Sequence, residues 1–276
     1  MKTRLKRNKT NPLNWIILSV VAAFIVIPYL WMLLTSFKGT QEILKNPGRI
    51  LPIQWTVSGF HTVLTKSPFF LWFKNSVLVS STVTLAVIFT STIAGYVFSK
   101  FRFRGKNTLF WIILATMMVP TQITMIPGFL IINALGLYNS LKALVIPALV
   151  SGFGIYLCRQ FCDEIPDSLC EAAGIDGAGP LWIYFSVIIP QLRPCIASLA
   201  IFTFLGVWND YLNPLIMLSE LKRMTLPLAL TYFSDQHTTN ISAVMAASAL
   251  IMLPVTVLLI CFQKQFIKGI AMTGMK

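Results

Sequence analysis

Residues 11–37 read NPLNWIILSVVAAFIVIPYLWMLLTSF, a run from Asn11 to Phe37 without one charged side chain. About 20 apolar residues wound as an α-helix cross the hydrocarbon core of a bilayer. Just before the run, Lys2 to Lys9 carry five positive charges and no negative one. A basic start and an apolar run also describe a signal peptide. A signal core, however, is only about 7–15 residues long and ends at a small-x-small cleavage site. This run is longer and no clean site follows, so it reads as a first membrane helix with its N-terminus in the cytoplasm.

The composition extends that reading to the whole chain. Of 276 residues, 56% are hydrophobic and 11% charged, against about 25% charged in a soluble domain. So few charges cannot cover a water-facing surface. In lipid only helices and closed barrels satisfy the backbone, and the apolar runs here are too long and continuous for barrel strands. The basic balance, 22 Lys and Arg against 9 Asp and Glu, suggests nucleic acid in a soluble protein. Here basic loops that set topology and meet anionic lipid account for it, and no nucleic acid is expected as a partner. Five cysteines, Cys158, Cys162, Cys170, Cys195 and Cys261, fall on or near the expected cytoplasmic side and read as small buried hydrophobes. His61 and His237 fall on the other side, so no metal site is expected.

Six hydrophobic segments can be drawn along the chain. Their expected spans are 13–36, 72–98, 108–132, 142–161, 195–218 and 240–262. The second is rich in Ser, Thr and Val, residues that let helices approach closely inside a bundle. The third is expected to break at Pro120 and Pro127. Lys and Arg concentrate in the N-terminus, in Lys100-Phe101-Arg102-Phe103-Arg104-Gly105-Lys106, at Arg159 and Arg193, and in the tail. The positive-inside rule then puts both termini in the cytoplasm. The expected organisation is 1–71 as basic tail, first helix and outer loop, 72–262 as the main helical membrane domain, and 263–276 as a cytoplasmic tail.

One inner segment, 162–194, is long and polar. Ser168-Leu169-Cys170-Glu171 fits a capping box, which starts a helix near Ser168. Asp163, Glu164 and Asp167 suit the positive end of that helix. Ala172 and Ala173 favour helix, Asp176-Gly177 reads as a turn, and Gly179-Pro180 opens a second helix. Pro190 and Pro194 redirect the chain before the fifth span. The product is a helix–turn–helix elbow with a small-residue surface.

Glu171-Ala172-Ala173, Asp176-Gly177-Ala178, the aromatic Tyr184, Pro190 and Pro194 resemble the EAA loop of ABC importer permeases. Its place between the fourth and fifth of six helices is that of the maltose-type, carbohydrate-uptake permeases. Trp208-Asn209-Asp210-Tyr211-Leu212-Asn213-Pro214, and the tail Gln263-Lys264-Gln265-Phe266-Ile267-Lys268-Gly269-Ile270 with Gly274, resemble the same subfamily. Tyr184 stands where that family usually has Phe. The resemblance implies an all-α membrane protein of the type I ABC importer permease fold, multi-pass in a bacterial cytoplasmic membrane, and not an enzyme. It implies a second permease, a different chain, two cytoplasmic ATPase subunits and an extracytoplasmic solute-binding protein as partners. It assigns Glu171 and Gly177 to coupling, with Ala172, Ala173, Asp176 and Ala178 as the docking surface and Pro190 shaping the exit.

The solute implied is an oligosaccharide, with glycerol phosphate or another polar solute as the alternative. No cofactor is expected in this chain. The phosphate-binding pattern G-x-x-x-x-G-K-[ST] does not occur in it, so ATP is left to the partner ATPases. Asp210 is ionisable within a membrane segment and is therefore a functional candidate. Asn209 beside it bonds hydroxyl groups, and Tyr211 stacks on sugar rings. The rival for Asp210 is a hydrated or internally paired carboxylate near the outer interface. A secondary carrier is a different class of explanation; it needs buried acids on several helices and internal repeats, neither of which is evident.

Overall fold

The computed structural model describes residues 12–234 and 240–273, with side chains from 13 to 261 within that range. The basic segment Lys2–Lys9, His237 and Gly274 lie outside the described residues, as do the tail side chains after Cys261. The described chain is helical. In order, α1 (Pro12–Ser36), α2 (Thr40–Lys45), α3 (Ser58–Lys66) and α4 (Phe69–Lys100) are followed by α5 (Lys106–Met117) and α6 (Thr121–Ala134). Next come α7 (Lys142–Val145), α8 (Gly152–Asp163), α9 (Asp167–Ile175), α10 (Pro180–Ile183) and α11 (Ile189–Gln191). The last are α12 (Arg193–Trp208), α13 (Leu212–Met217), α14 (Leu226–Ala229) and α15 (Ile241–Thr273). Four helical stretches are long and apolar enough to cross a membrane, or up to six if each of two bent pairs is one span.

Several boundaries differ from the sequence expectation. The third span breaks at Pro120 alone, where α5 and α6 meet at 100°. Pro127 rides inside α6, as Pro28 does in α1 and Pro254 in α15. A proline removes one intrahelical bond and crowds the carbonyl four residues back, but in a bundle neighbours can re-satisfy that carbonyl. The fifth expected span is two helices: α12 ends at Trp208 and α13 restarts at Leu212. The sixth continues to Thr273.

The chain packs as two compact units. One joins the chain before Pro68 to Leu230–Met252. There α3 and the start of α15 approach closely, because a Cβ on Gly59 would stand 2.5 Å from the Ser242 carbonyl oxygen. The Ser242 hydroxyl donates to the Lys38 carbonyl at 2.7 Å.

The other unit holds Pro68–Ala229 and α15 from Leu253 onward. Its axis is α4, which packs chiefly on α8 and α12. One stripe of α4 is buried from end to end: Trp72, Ser76, Val79, Val83, Val87, Ser91 and Gly95. The spacing of three and four residues is one helix face. Small residues there let backbones meet, as membrane helices need in the absence of a hydrophobic drive between them. A Cβ on Gly95 would stand 2.6 Å from the Cys158 Cβ, and one on Gly154 would stand 2.3 Å from the Ser91 hydroxyl. Cys158, Cys162 and Cys195 are fully buried in this core, as expected of small hydrophobes, whereas Cys261 is exposed.

Candidate functional site

Local chain rules build the elbow. Pro166 disfavours helix at Ile165, so α9 starts directly after it, with Pro166 at the N-cap and no side-chain cap bond. The expected capping box at Ser168 is therefore not formed: Ser168 and Glu171 sit past the positions at which they would bond reciprocally. At its other end α9 closes with a Schellman motif. The Ala178 amide donates to the Ala173 carbonyl at 2.9 Å, and the Gly177 amide to the Gly174 carbonyl at 3.0 Å. Gly177 has φ +84°, a left-handed conformation that a side chain makes costly. A Cβ there would meet nothing within 4 Å, so Gly177 serves backbone conformation rather than close fit. Ala173 and Ala178 pack inward on the core.

α10 opens at Pro180, with Gly179 as its N-cap. A π-turn, Tyr184–Ile188, then leads into Pro190. The wider turn accommodates a residue that lacks a donor.

Four residues near the C-terminal end of α4 hold this elbow from inside. The Thr92 and Tyr184 hydroxyls are 2.7 Å apart and buried. The Tyr96 hydroxyl donates to the Pro180 carbonyl at 3.4 Å. Ser99 donates to Asp163 at 2.6 Å. Lys100, its side chain only 8% exposed, pairs with Asp167 at 2.6 Å and also donates to the Ile165 carbonyl. The Lys100 ammonium, by hydrogen bond and by charge, holds the Asp167 carboxyl below its ordinary range. Sequence reasoning missed this ladder. Lys100 counted there only as a topology charge, and Thr92 and Tyr96 lie 92 and 84 residues upstream of their partners. The i, i+4, i+8 spacing of Thr92, Tyr96 and Lys100 was the signal available.

The outer face of the elbow is open. Glu171, Ala172, Asp176 and Gly177 are exposed, and among the described residues Glu171 has neither a cap bond nor an ion pair. The surface is not bare, however: Ile175 is 88% exposed beside them, and Leu169 and Trp182 are exposed as well. Large apolar side chains outside a span mark a surface that meets another protein.

A second polar region lies deeper in the same unit, a cavity of about 430 Å³. It is lined by Ser80 on α4, Thr121 and Thr124 on α6, Asp210, Asn213 and Thr225, among apolar residues such as Val79 and Ile132. The hydroxyls of Ser80 and Thr225 are buried and make no hydrogen bond among the described residues. Buried polar groups are nearly always paired, so two orphans on one cavity wall mark a place where a ligand or water supplies the partner. Asp210 lines this cavity, but its carboxylate already accepts from the Asn213 amide group at 2.8 Å and the Asn213 backbone at 3.2 Å. Asn209 caps α12, donating to the Leu205 carbonyl at 3.0 Å. Tyr211 is 37% exposed. Neither Asn209 nor Tyr211 lines the cavity, so the three expected pathway residues are not brought together.

Fold and sites together define a polytopic helical membrane protein with a protruding elbow between two spans. Residues 86–272 match the family of binding-protein-dependent transport system inner membrane components, and the chain belongs to that family. It is 31% identical to the arabinooligosaccharides transport system permease protein of Halalkalibacterium halodurans, over 98% of this chain and 99% of that one. It is 29% identical to the lactose transport system permease protein of Rhizobium radiobacter, over 98% of each. Its fold is similar to a solved bacterial ABC transporter involved in import of the acidic polysaccharide alginate. The TM-score is 0.83 at 24% identity, over 92% of this chain and 95% of that one. It is thus a transport permease, multi-pass in the bacterial plasma membrane.

Proposed function

We propose that this chain is one of two permease subunits of an ATP-driven, binding-protein-dependent importer of oligosaccharides, and that the elbow is where a cytoplasmic ATPase moves it. The elbow carries this reading. Its outer face offers Glu171, Ala172, Ile175 and Asp176, while its inner face is bonded to α4. A push on the outside therefore reaches the long helix that lines the cavity. Moving a two-state pathway from 1:99 to 99:1 takes about 5.5 kcal/mol of differential interaction. A capped helix braced at several points transmits that; a slack loop does not. Both termini then face the cytoplasm, and a solute-binding protein meets the opposite side.

Oligosaccharide is favoured by the cavity. Its orphan Ser80 and Thr225 hydroxyls suit a ligand rich in hydroxyl groups. Its one ionisable lining residue is Asp210, a carboxylate that repels the phosphate of glycerol phosphate. The relatives named for arabino-oligosaccharides and lactose agree with that class.

The test is purification of the tagged chain in mild detergent, with identification of what accompanies it. Wild type is expected to bring ATPase subunits and a second permease. Ile175→Asp is expected to reach the membrane with the second permease but to lose the ATPase. A chain that arrives without any ATPase overturns the coupling role.

A further inference from the structure

Lys38 is the outlier of the smaller unit. It follows the end of α1 by two residues and is 2% exposed. Its ammonium donates to the Arg49 carbonyl. An ammonium has three donors, and among the described residues no carboxylate lies within ion-pair distance of it. The acid closest in sequence is Glu42, whose carboxylate is committed to the Ile53 amide at 2.7 Å and the Gln54 amide at 3.5 Å. A buried charge without a counter-charge is costly, and the described residues offer the Lys38 ammonium only the Arg49 carbonyl.

Lys38 also lines a cavity of about 410 Å³ in that unit. One part of the wall is polar: Thr35, Asn46 and Ser248 with Lys38. Its apolar lining includes Trp31 and Met32 from α1 and Met245 from α15. Trp31 is 46% exposed, so the cavity opens along the flank of α1. That helix has none of its apolar window buried. A site with a cation and small polar groups against an apolar slot, open toward an apolar helix flank, has the chemistry of an amphiphile with an acidic head. We propose that it binds one anionic phospholipid, with the phosphate on the Lys38 ammonium and the start of an acyl chain between Trp31 and Met245. Lys38 as a strut for the Arg49 carbonyl explains one of its donors. It explains neither the two remaining donors nor the apolar slot.

The experiment uses the full chain with whatever subunits stay bound in mild detergent, relipidated with phosphatidylglycerol, with phosphatidylethanolamine, or exposed to inorganic phosphate alone. Native mass spectrometry reads bound lipid, and thermal melting reads protection. Wild type is expected to keep one phosphatidylglycerol and to prefer it over phosphatidylethanolamine. Lys38→Gln should weaken that retention on the order of tenfold, the worth of one charge-assisted hydrogen bond. Met245→Trp, which leaves Lys38 in place and fills the slot, should weaken it as well. It also keeps the test alive if Lys38→Gln fails to fold. Equal retention of phosphatidylglycerol by wild type and both variants overturns the proposal. So does protection by inorganic phosphate equal to that by lipid, or a wild type that carries no phospholipid because a partner subunit covers the site. None of these outcomes bears on the ATPase test of the elbow.

Discussion

The elbow and the cavity are two polar regions of the larger unit, and they are made in opposite ways. The elbow is written in consecutive residues: Pro166 starts a helix, Gly177 ends it in a left-handed turn, and Pro180 starts the next. The cavity draws its wall from α4, α6, α7, α12, α13 and the loops around them. No local rule brings Ser80 next to Thr225. The elbow's polar groups are bonded inward or turned to solvent, whereas the cavity keeps two hydroxyls buried and unpaired. A docking surface must hold one shape; a pathway must keep polar atoms available for what passes. The comparison predicts that elbow lesions act through conformation and cavity lesions through the solute.

The largest effect is expected where both regions lose their common support. Gly95→Leu puts a side chain where even a Cβ stands 2.6 Å from Cys158. Overpacking of a tight contact costs about 1–3 kcal/mol, occasionally more, and here backbone opposes backbone. Little folded protein is expected in the membrane, and detergent-solubilised yield with a thermal melt reads it. A well-folded variant would break the claim that α4 and α8 meet through Gly95.

Gly177→Val comes next. Its left-handed backbone costs a β-branched residue about 1–3 kcal/mol, confined to the elbow. Uptake should be lost while the bundle melts near the wild-type temperature, and hydrogen exchange should rise across 167–178. Gly177→Asn, which tolerates this conformation better, should retain more uptake. Equal effects of Val and Asn would mean that the turn is not what matters.

Ser80→Ala combined with Thr225→Val sharpens the other side of the comparison. Removing unpaired buried hydroxyls relieves about 1–3 kcal/mol of desolvation for each, so the melt should hold or rise. Uptake of oligosaccharide should nevertheless fall several-fold. A drop in stability without a change in uptake would show that the hydroxyls serve the fold.

Tyr184→Phe removes one buried hydroxyl pair with Thr92. The Thr92 hydroxyl keeps its bond to the Ile88 carbonyl at 2.7 Å, so the loss is about 1 kcal/mol. Uptake should stay close to normal, and loss of transport would show that this bond carries coupling. The smallest effect is expected from Asp167. Its carboxyl is held below the ordinary 3.8, so its bridge to Lys100 is present at neutral pH. The bridge is lost only as pH falls through the depressed value. Hydrogen exchange of α9, taken relative to the intrinsic amide rate at each pH, should therefore be flat from neutral pH down to about 5 and rise only in stronger acid. Asp167→Asn should raise it slightly throughout the neutral range. A transition near neutral pH would contradict the pairing.

Particular residues show how far the sequence could be read. The charge-free run from Asn11 to Phe37 became α1, and the Ser, Thr and Val of the second span became the buried stripe of α4. Asp176-Gly177 and Gly179-Pro180 became the turn and helix start they predict. The capping box failed because Pro166 fixed the helix start two residues ahead of it. Pro120 and Pro127 are chemically identical, yet one breaks the third span and the other does not. Ile175 lay in plain sight within the elbow, and only its 88% exposure revealed it as part of the surface.

By itself the sequence determined the membrane class, the helical spans and the local shape of the elbow. Hydrophobic run length, proline and glycine act on residues next to one another, and no partner is needed to apply them. Tertiary structure alone decided that Lys100 and Tyr184 brace the elbow on α4 and that Ser80 and Thr225 share a cavity. Those facts depend on which helix faces meet. Small residues at Gly95 and Gly154 fix that choice by letting two backbones touch, and close packing in three dimensions is not a property of any stretch of chain.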